Sequence, residues 1–166
     1  YKNGRYNLNY AVADAESFVK DLSAKAGKLF SAVDVTLITD GGATRTSILD
    51  KLDHIKEKAK PEDVFVFYYA GHGVSLETQN GSEFYFILHD ATQMTDIEKN
   101  ERDCISGSVL KDYLHTIKAE KQIQFIDACN SGSYTQGYAS RGAGEEIALA
   151  QLSRSTGSVV ISSTSA

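Results

Sequence analysis

The sequence predicts an α/β fold, a three-layer sandwich with a mostly parallel central sheet. Two observations carry this. Short β-prone runs alternate with stretches of helical periodicity along the whole chain, the pattern that packs helices on both faces of a sheet. The run at residues 64–70 (VFVFYYA) is apolar without interruption. A strand buried on both faces of a parallel sheet reads that way, whereas a strand with one wet face alternates. The length of 166 residues suits one domain with one sizeable core.

The elements follow in order. Residues 14–25 place Phe18, Val19 and Leu22 near helical spacing. Residues 33–39 (VDVTLIT) are β-branched and predict a strand. Residues 44–60 predict a helix with Ile48, Leu49, Leu52 and Ile55 on one face, ended by Pro61. Strands are expected at 64–70, 84–88, 123–128 and 158–162. A helix is expected at 106–117, with Ser106 or Ser108 as N-cap. Residues 130–144 are rich in Gly, Ser and Tyr and predict a loop, followed by a short helix at 144–152. No internal repeat or low-complexity tract is visible.

Composition excludes several classes. Hydrophobic residues at 42% and charged residues at 23% describe an ordinary globular protein. No apolar run approaches the ~18 residues a membrane span needs, and no secretory signal opens the chain. The net charge of −5 argues against nucleic acid or an anionic membrane as partner. Two cysteines, Cys104 and Cys129, make no disulfide framework, so a reducing, cytoplasmic compartment with both thiols reduced is expected. The chain opens on Tyr1, and Met94 is its one methionine. The reading therefore expects a processed product, an excised domain or a fragment.

Functional groups in open α/β sheets gather beyond the carboxyl ends of strands. Two strands are expected to end suggestively, one in Ala70-Gly71-His72-Gly73 and one in Asp127-Ala128-Cys129-Asn130-Ser131-Gly132. A thiol is a modest nucleophile until a base or positive charge favours its thiolate, and a facing imidazole supplies one. A His roughly 50 residues before the Cys is a spacing signature of one cysteine peptidase family, and His72 precedes Cys129 by a similar interval. The backbone N–H groups of Gly73 and Cys129 could stabilise an oxyanion. Singly, a strand-end His is commonly a polar surface residue and a buried Cys a small hydrophobe. The pairing of the two settings carries the reading. His54 and His115 fall in expected helices, and His89 lacks a comparable setting. Cys104 follows the charged run Glu98, Lys99, Glu101, Arg102, Asp103 and reads as structural or incidental. No CxxC or HxxxH spacing and no phosphate loop is present, so no metal and no cofactor are expected.

These residues resemble the caspase-like peptidases, and within them the metacaspase and bacterial branch. Tyr68-Tyr69-Ala70-Gly71-His72-Gly73 resembles the catalytic-histidine motif. Asp127-Ala128-Cys129-Asn130-Ser131-Gly132 resembles the catalytic-cysteine motif. Tyr10-Ala11-Val12-Ala13-Asp14-Ala15 resembles the start of the first helix, where that branch often carries Asn-Asp. The resemblance implies a caspase-type sandwich and endopeptidase activity by a His72–Cys129 dyad. It also implies a basic P1 side chain, Arg or Lys, held by Asp127 with Asp14 as helper. Two carboxylates in one cleft repel until a cation arrives. Asp14 has a second reading, as a helix N-terminal acid favoured by the dipole.

Two departures stand out. A serine often precedes the Gly-His pair, and here the residue is Ala70. The stretch after the histidine, often dense in acids and linked to calcium, offers only Glu77, Glu83 and Asp90 in residues 74–90, which argues against calcium dependence. The resemblance further implies that residues 1–166 are a catalytic core whose first strand precedes Tyr1 and whose C-terminal part follows Ala166, within a parent protein of further domains or subunits. Related enzymes are often cut after the cysteine-bearing part. Arg141, in the expected loop, is the candidate self-cleavage site, and Arg154 a weaker one. The reading is thus a cysteine endopeptidase acting on peptide or protein substrates. The alternative is a catalytically silent scaffold kept for binding or regulation. A third reading, phosphoryl chemistry at Asp127, leaves Gly71-His72-Gly73 and Cys129 unexplained.

Overall fold

The computed structural model describes residues 1–79, 81–93, 102–130, 150, 154 and 158–163, with the backbone alone at 129, 130, 162 and 163. A 3-10 turn at Gly4–Tyr6 leads to helix α1 (Ala11–Ala26), then a second 3-10 turn at Asp40–Gly42 and helix α2 (Arg45–Lys58). Strand β1 (Val64–Thr78) and strand β2 (Gly81–Ile87) follow, then β3 (Cys104–Ser106), helix α3 (Gly107–Thr116), β4 (Lys121–Asn130) and β5 (Val159–Ser163). The helix ends obey ordinary capping chemistry. Thr44 accepts from the Ser47 N–H at 3.2 Å, and Ser106 accepts from the Val109 N–H at 3.2 Å. Ser106, not Ser108, is therefore the cap of α3.

The five strands form one mixed sheet in the order β3-β2-β1-β4-β5. β1, β4 and β5 run parallel, while β2 and β3 add on antiparallel. Helices cover both faces. Phe18 of α1 stacks on Tyr68 of β1 with ring centroids 4.3 Å apart. On the other face Leu52 of α2 and Leu110 and Leu114 of α3 close over Phe84, Phe86 and Ile126. This is the expected three-layer sandwich. Phe84 and Phe86 meet edge to face at 4.9 Å, and Phe86 receives Phe67 and Tyr69 in the same manner.

Three expectations change. Residues 33–39 join no ladder. Their β-branched side chains favour a pleated surface, yet a strand also needs a neighbour to bond to. Instead a groove of about 1460 Å³ lies between this segment, α1, α2 and β1, lined by Val33, Val35, Leu37, Leu22, Ile55 and Val66 among others. Val35 and Leu37 remain 43% and 46% exposed, as a strand with one side unfilled would be. Second, β1 does not end at Ala70. It runs eight residues further because it exchanges one partner for another. Residues 64–73 pair with β4 and residues 73–78 pair with β2. Gly71-His72-Gly73 and Cys129 are therefore inside paired strands and not in loops beyond them. Third, Cys104 opens a short edge strand that was not expected, and it is buried among Val74, Ile87 and Ala91. The expected loop and helix at 130–152 lie outside the described residues apart from the Asn130 backbone and Ala150.

The crossover point at Gly73 is tightly filled. A Cβ added there would lie 2.3 Å from Phe84 Cζ and 3.3 Å from Ala128 Cβ. Phe84 is only 2% exposed, so its ring cannot swing aside. Gly73→Ala is therefore expected to lower the unfolding free energy by ~1–3 kcal/mol, the usual cost of overpacking. Phe84→Leu in that background should recover part of the loss, giving a non-additive cycle in urea denaturation. Simple additivity of the two changes would contradict this packing account.

Candidate active site

The parallel pairing of β1 with β4 sets the two sequence motifs side by side. Tyr68 pairs in register with Phe125, Ala70 with Asp127, and His72 with Cys129. Neighbouring strands lie roughly 4.8 Å apart, and residues two apart share a face. Phe18 of α1 touches Tyr68 and also meets Phe125 at 5.0 Å, which identifies that face as the α1 side. Positions 70, 72, 127 and 129 belong to the same side by alternation. For Cys129 the register is the described fact, and its side chain lies outside the described atoms.

His72 is buried, 8% exposed, with its ring between those of Tyr1 and Tyr6. Nε2 stands 2.8 Å from the Tyr6 carbonyl oxygen. A carbonyl can only accept, so Nε2 carries the proton. In the neutral ring that leaves the lone pair on Nδ1. Nδ1 is buried and has no hydrogen-bond partner among the described residues. Burial lowers the pKa of this imidazole, and the Tyr6 carbonyl partly offsets that by favouring the charged ring. The arrangement holds a neutral base with one nitrogen anchored and the other open.

The backbone of His72 is also held. Its N–H donates to the Tyr1 hydroxyl at 3.0 Å, and its carbonyl accepts from the Tyr69 hydroxyl at 2.6 Å. These bonds turn the His72 peptide groups towards the β2 edge.

Asp14 and Asp127 come from different elements, and the charge of each reaches the Tyr68 phenol. Asp14 is an exposed residue in the first turn of α1. Asp127 lies on β4 between Ala70 and Ser163 in register. The phenol of Tyr68 stands near both. Burial raises its pKa first, the Asp127 charge adds to that, and the Asp14 charge adds a smaller part. The position of Asp14 in the first turn also satisfies its alternative reading as a dipole-favoured acid, and both can hold at once.

The remaining expected residues fall elsewhere. Arg141 lies outside the described residues. Arg154 is exposed, with Nε donating to the Ala150 carbonyl at 3.2 Å. Among the described residues no three His, Cys, Asp or Glu side chains converge as metal ligands. Among them, too, no helix is long and apolar enough to cross a membrane. Sequence reading missed Tyr1, Tyr6, Tyr68 and Tyr69. A backbone carbonyl such as that of Tyr6 has no sequence signature. Tyr68, two residues before Ala70 and four before His72, could have been found from strand alternation.

Comparison with known proteins bears on the fold and the family. A crystal structure of protein GSU0716 from Geobacter sulfurreducens superposes with a TM-score of 0.52 over 84% of this chain and 51% of that one, at 21% identity, a likeness of fold. Metacaspase-1 of Candida albicans is 26% identical over 132 residues, covering 74% of this chain but only 28% of the relative. The chain thus spans under a third of that metacaspase's length. The caspase-domain family model matches residues 1–166, from the first residue to the last. This chain belongs to the caspase-domain peptidase family.

Proposed function

We propose that the chain is a cysteine endopeptidase core in which His72 is the general base and Cys129 the nucleophile. The observation that carries this is the register of His72 with Cys129, together with an imidazole whose Nε2–H is spent on the Tyr6 carbonyl. In this reading Nδ1 takes the thiol proton, and the thiolate attacks the scissile carbonyl carbon. The N–H groups of Gly73 and Cys129 receive the oxyanion. The imidazolium, steadied by the Tyr6 carbonyl, gives its proton to the leaving amine, and water then hydrolyses the thioester. The dyad needs no third side chain, because a main-chain carbonyl orients the ring.

The same reading assigns the Asp14–Asp127 pair around Tyr68 to the P1 subsite. Two acids about one phenol favour a basic side chain and disfavour an acidic one. The groove beside residues 33–39 supports the expectation that a further strand of the family domain pairs there, between that segment and β1. Such a strand would satisfy the free edge of β1 and cover Val35 and Leu37. Arg141, in the expected loop between the strand that carries Cys129 and the helix at 144–152, is proposed as a self-cleavage site that an acid-lined subsite would accept.

Cys129→Ala should abolish peptide hydrolysis with a change in stability within about 1 kcal/mol, while Cys104→Ala should keep its turnover. Residual turnover above a few per cent in Cys129→Ala would remove the nucleophile assignment. Because burial lowers the His72 pKa, the neutral base persists to lower pH than an ordinary imidazole. The acid limb of kcat/KM should therefore fall below about 6.5, the usual histidine value. A limb above that value would contradict the buried neutral base.

Substrates with Arg or Lys at P1 should be preferred in a P1-varied peptide library, with no cleavage after Asp. Asp127→Asn should weaken basic substrates by ~2–5 kcal/mol in kcat/KM, the typical loss for a desolvated charge partner. An acidic P1 preference would refute the subsite assignment.

Mass spectrometry of the wild type beside Cys129→Ala should show a cut after Arg141 in the wild type alone. Fully active, intact wild type would rule out cleavage there as a requirement for activity. A cut in isolated Cys129→Ala would assign it to another protease.

A further inference from the structure

We infer that Tyr69 is a positioning residue for the general base: its hydroxyl, folded back over Gly71, holds the His72 carbonyl and thereby sets where the imidazole stands. This rests on the reading of His72 as base.

The need arises from the crossover in β1. The β2 ladder reaches only as far as the Gly73–Phe86 pair, so His72 has no registered partner on that edge. Its N–H donates to the Tyr1 hydroxyl and its carbonyl accepts from the Tyr69 hydroxyl. A one-residue slip of the strand here would carry the imidazole to the opposite face. A bond to the carbonyl of His72 itself opposes that slip and any tilt of the Cα–Cβ direction.

Three contacts make Tyr69 suited to the task. Its hydroxyl lies 2.6 Å from the His72 carbonyl oxygen and 2.8 Å from that of Ile87, so one proton is shared between β1 and the end of β2. Its ring meets Phe86 edge to face at 4.9 Å, which fixes the ring plane. The hydroxyl also passes over Gly71, where a Cβ would lie 2.6 Å from Oη and 2.8 Å from Cζ. Residue 71 must then be glycine for the hydroxyl to reach His72. Burial pushes the phenol well above its ordinary pKa, with the neighbouring Tyr1 adding to the rise, so it stays a donor across the working range. The segment Tyr69-Ala70-Gly71-His72 is in this account one device: a donor, a gap for it to cross and the residue it holds.

The test uses Tyr69→Phe, which keeps the ring against Phe86 and removes only the hydroxyl. Peptide hydrolysis per active site should fall at least about 10-fold in kcat, with KM within about twofold, as for a misplaced catalytic group. Iodoacetamide alkylation of the Cys129 thiol gives a second readout that needs no substrate. Its rate at neutral pH should drop, and its pH profile should move towards that of an unassisted thiol near ~8.5. Gly71→Ala should reproduce both effects by displacing the hydroxyl. Wild-type kcat and an unshifted alkylation profile in Tyr69→Phe would overturn the inference, as would a loss that disappears when rates are normalised to titrated active sites. If the wild type itself lacks the fast alkylation that His72→Ala should remove, the general-base reading fails and this inference falls with it.

Discussion

The parallel pairing of β1 with β4 is the constraint on which the rest of the site depends. It places His72 opposite Cys129 and Ala70 opposite Asp127 with no loop intervening. Strand register is discrete, so the two motifs either meet or miss by a whole residue. A site built this way gains rigidity from the sheet but needs its register defended. The packing around the motif serves that end. Phe18 of α1 clamps Tyr68 and Phe125 across the two strands, and Ile126 and Ala128 anchor β4 in the core on the opposite face.

Glycines at 71 and 73 acquire a different meaning in this frame. Flanking glycines read from sequence suggest an exposed, approachable histidine. The structure has a buried histidine, and each glycine makes room for a specific ring, Gly71 for Tyr69 and Gly73 for Phe84. Both rings come from the side of the sheet opposite α1. Removing the Cβ on that side lets aromatic groups approach the backbone of the residue between them. The face opposite α1 is thereby packed tightly at both glycines.

Much of this was legible in the sequence, and the unread parts share a physical cause. The α/β alternation, the unbroken apolar run of residues 64–70 and Pro61 after α2 are local patterns, and each led to the right element, whereas the His72 and Cys129 motifs, expected at strand ends, lie within the β1–β4 pairing. Residues 33–39 carry the same β-branched signature as a strand, yet strand formation is settled by a neighbour's backbone, which local composition does not contain. The extension of β1 to Thr78 depends likewise on β2 folding back on it. The Tyr6 carbonyl that orients the imidazole is a main-chain atom, and every residue has one. Its selection follows from the path of the chain before α1 and from no side-chain type. Asp14 and Asp127 lie far apart in sequence, and only the packing of α1 over β1 and β4 brings both beside Tyr68.

Two opposing electrostatic environments occur on one face of the sheet. Around His72 the surroundings are aromatic and dry, which disfavours the imidazolium and lowers the pKa. Around Tyr68 there are two carboxylates, which favour any cation that enters. If the ring were simply buried, proton transfer from a thiol would create an imidazolium in a medium that resists it. The Tyr6 carbonyl answers that difficulty, because it accepts from Nε2–H in both protonation states and binds the charged ring more strongly. A fixed main-chain dipole supplies this stabilisation without adding a full negative charge beside the ring, as a carboxylate partner would. On the proposed reading the subsite draws its charge from Asp14 and Asp127, while burial and one oriented carbonyl tune the imidazole.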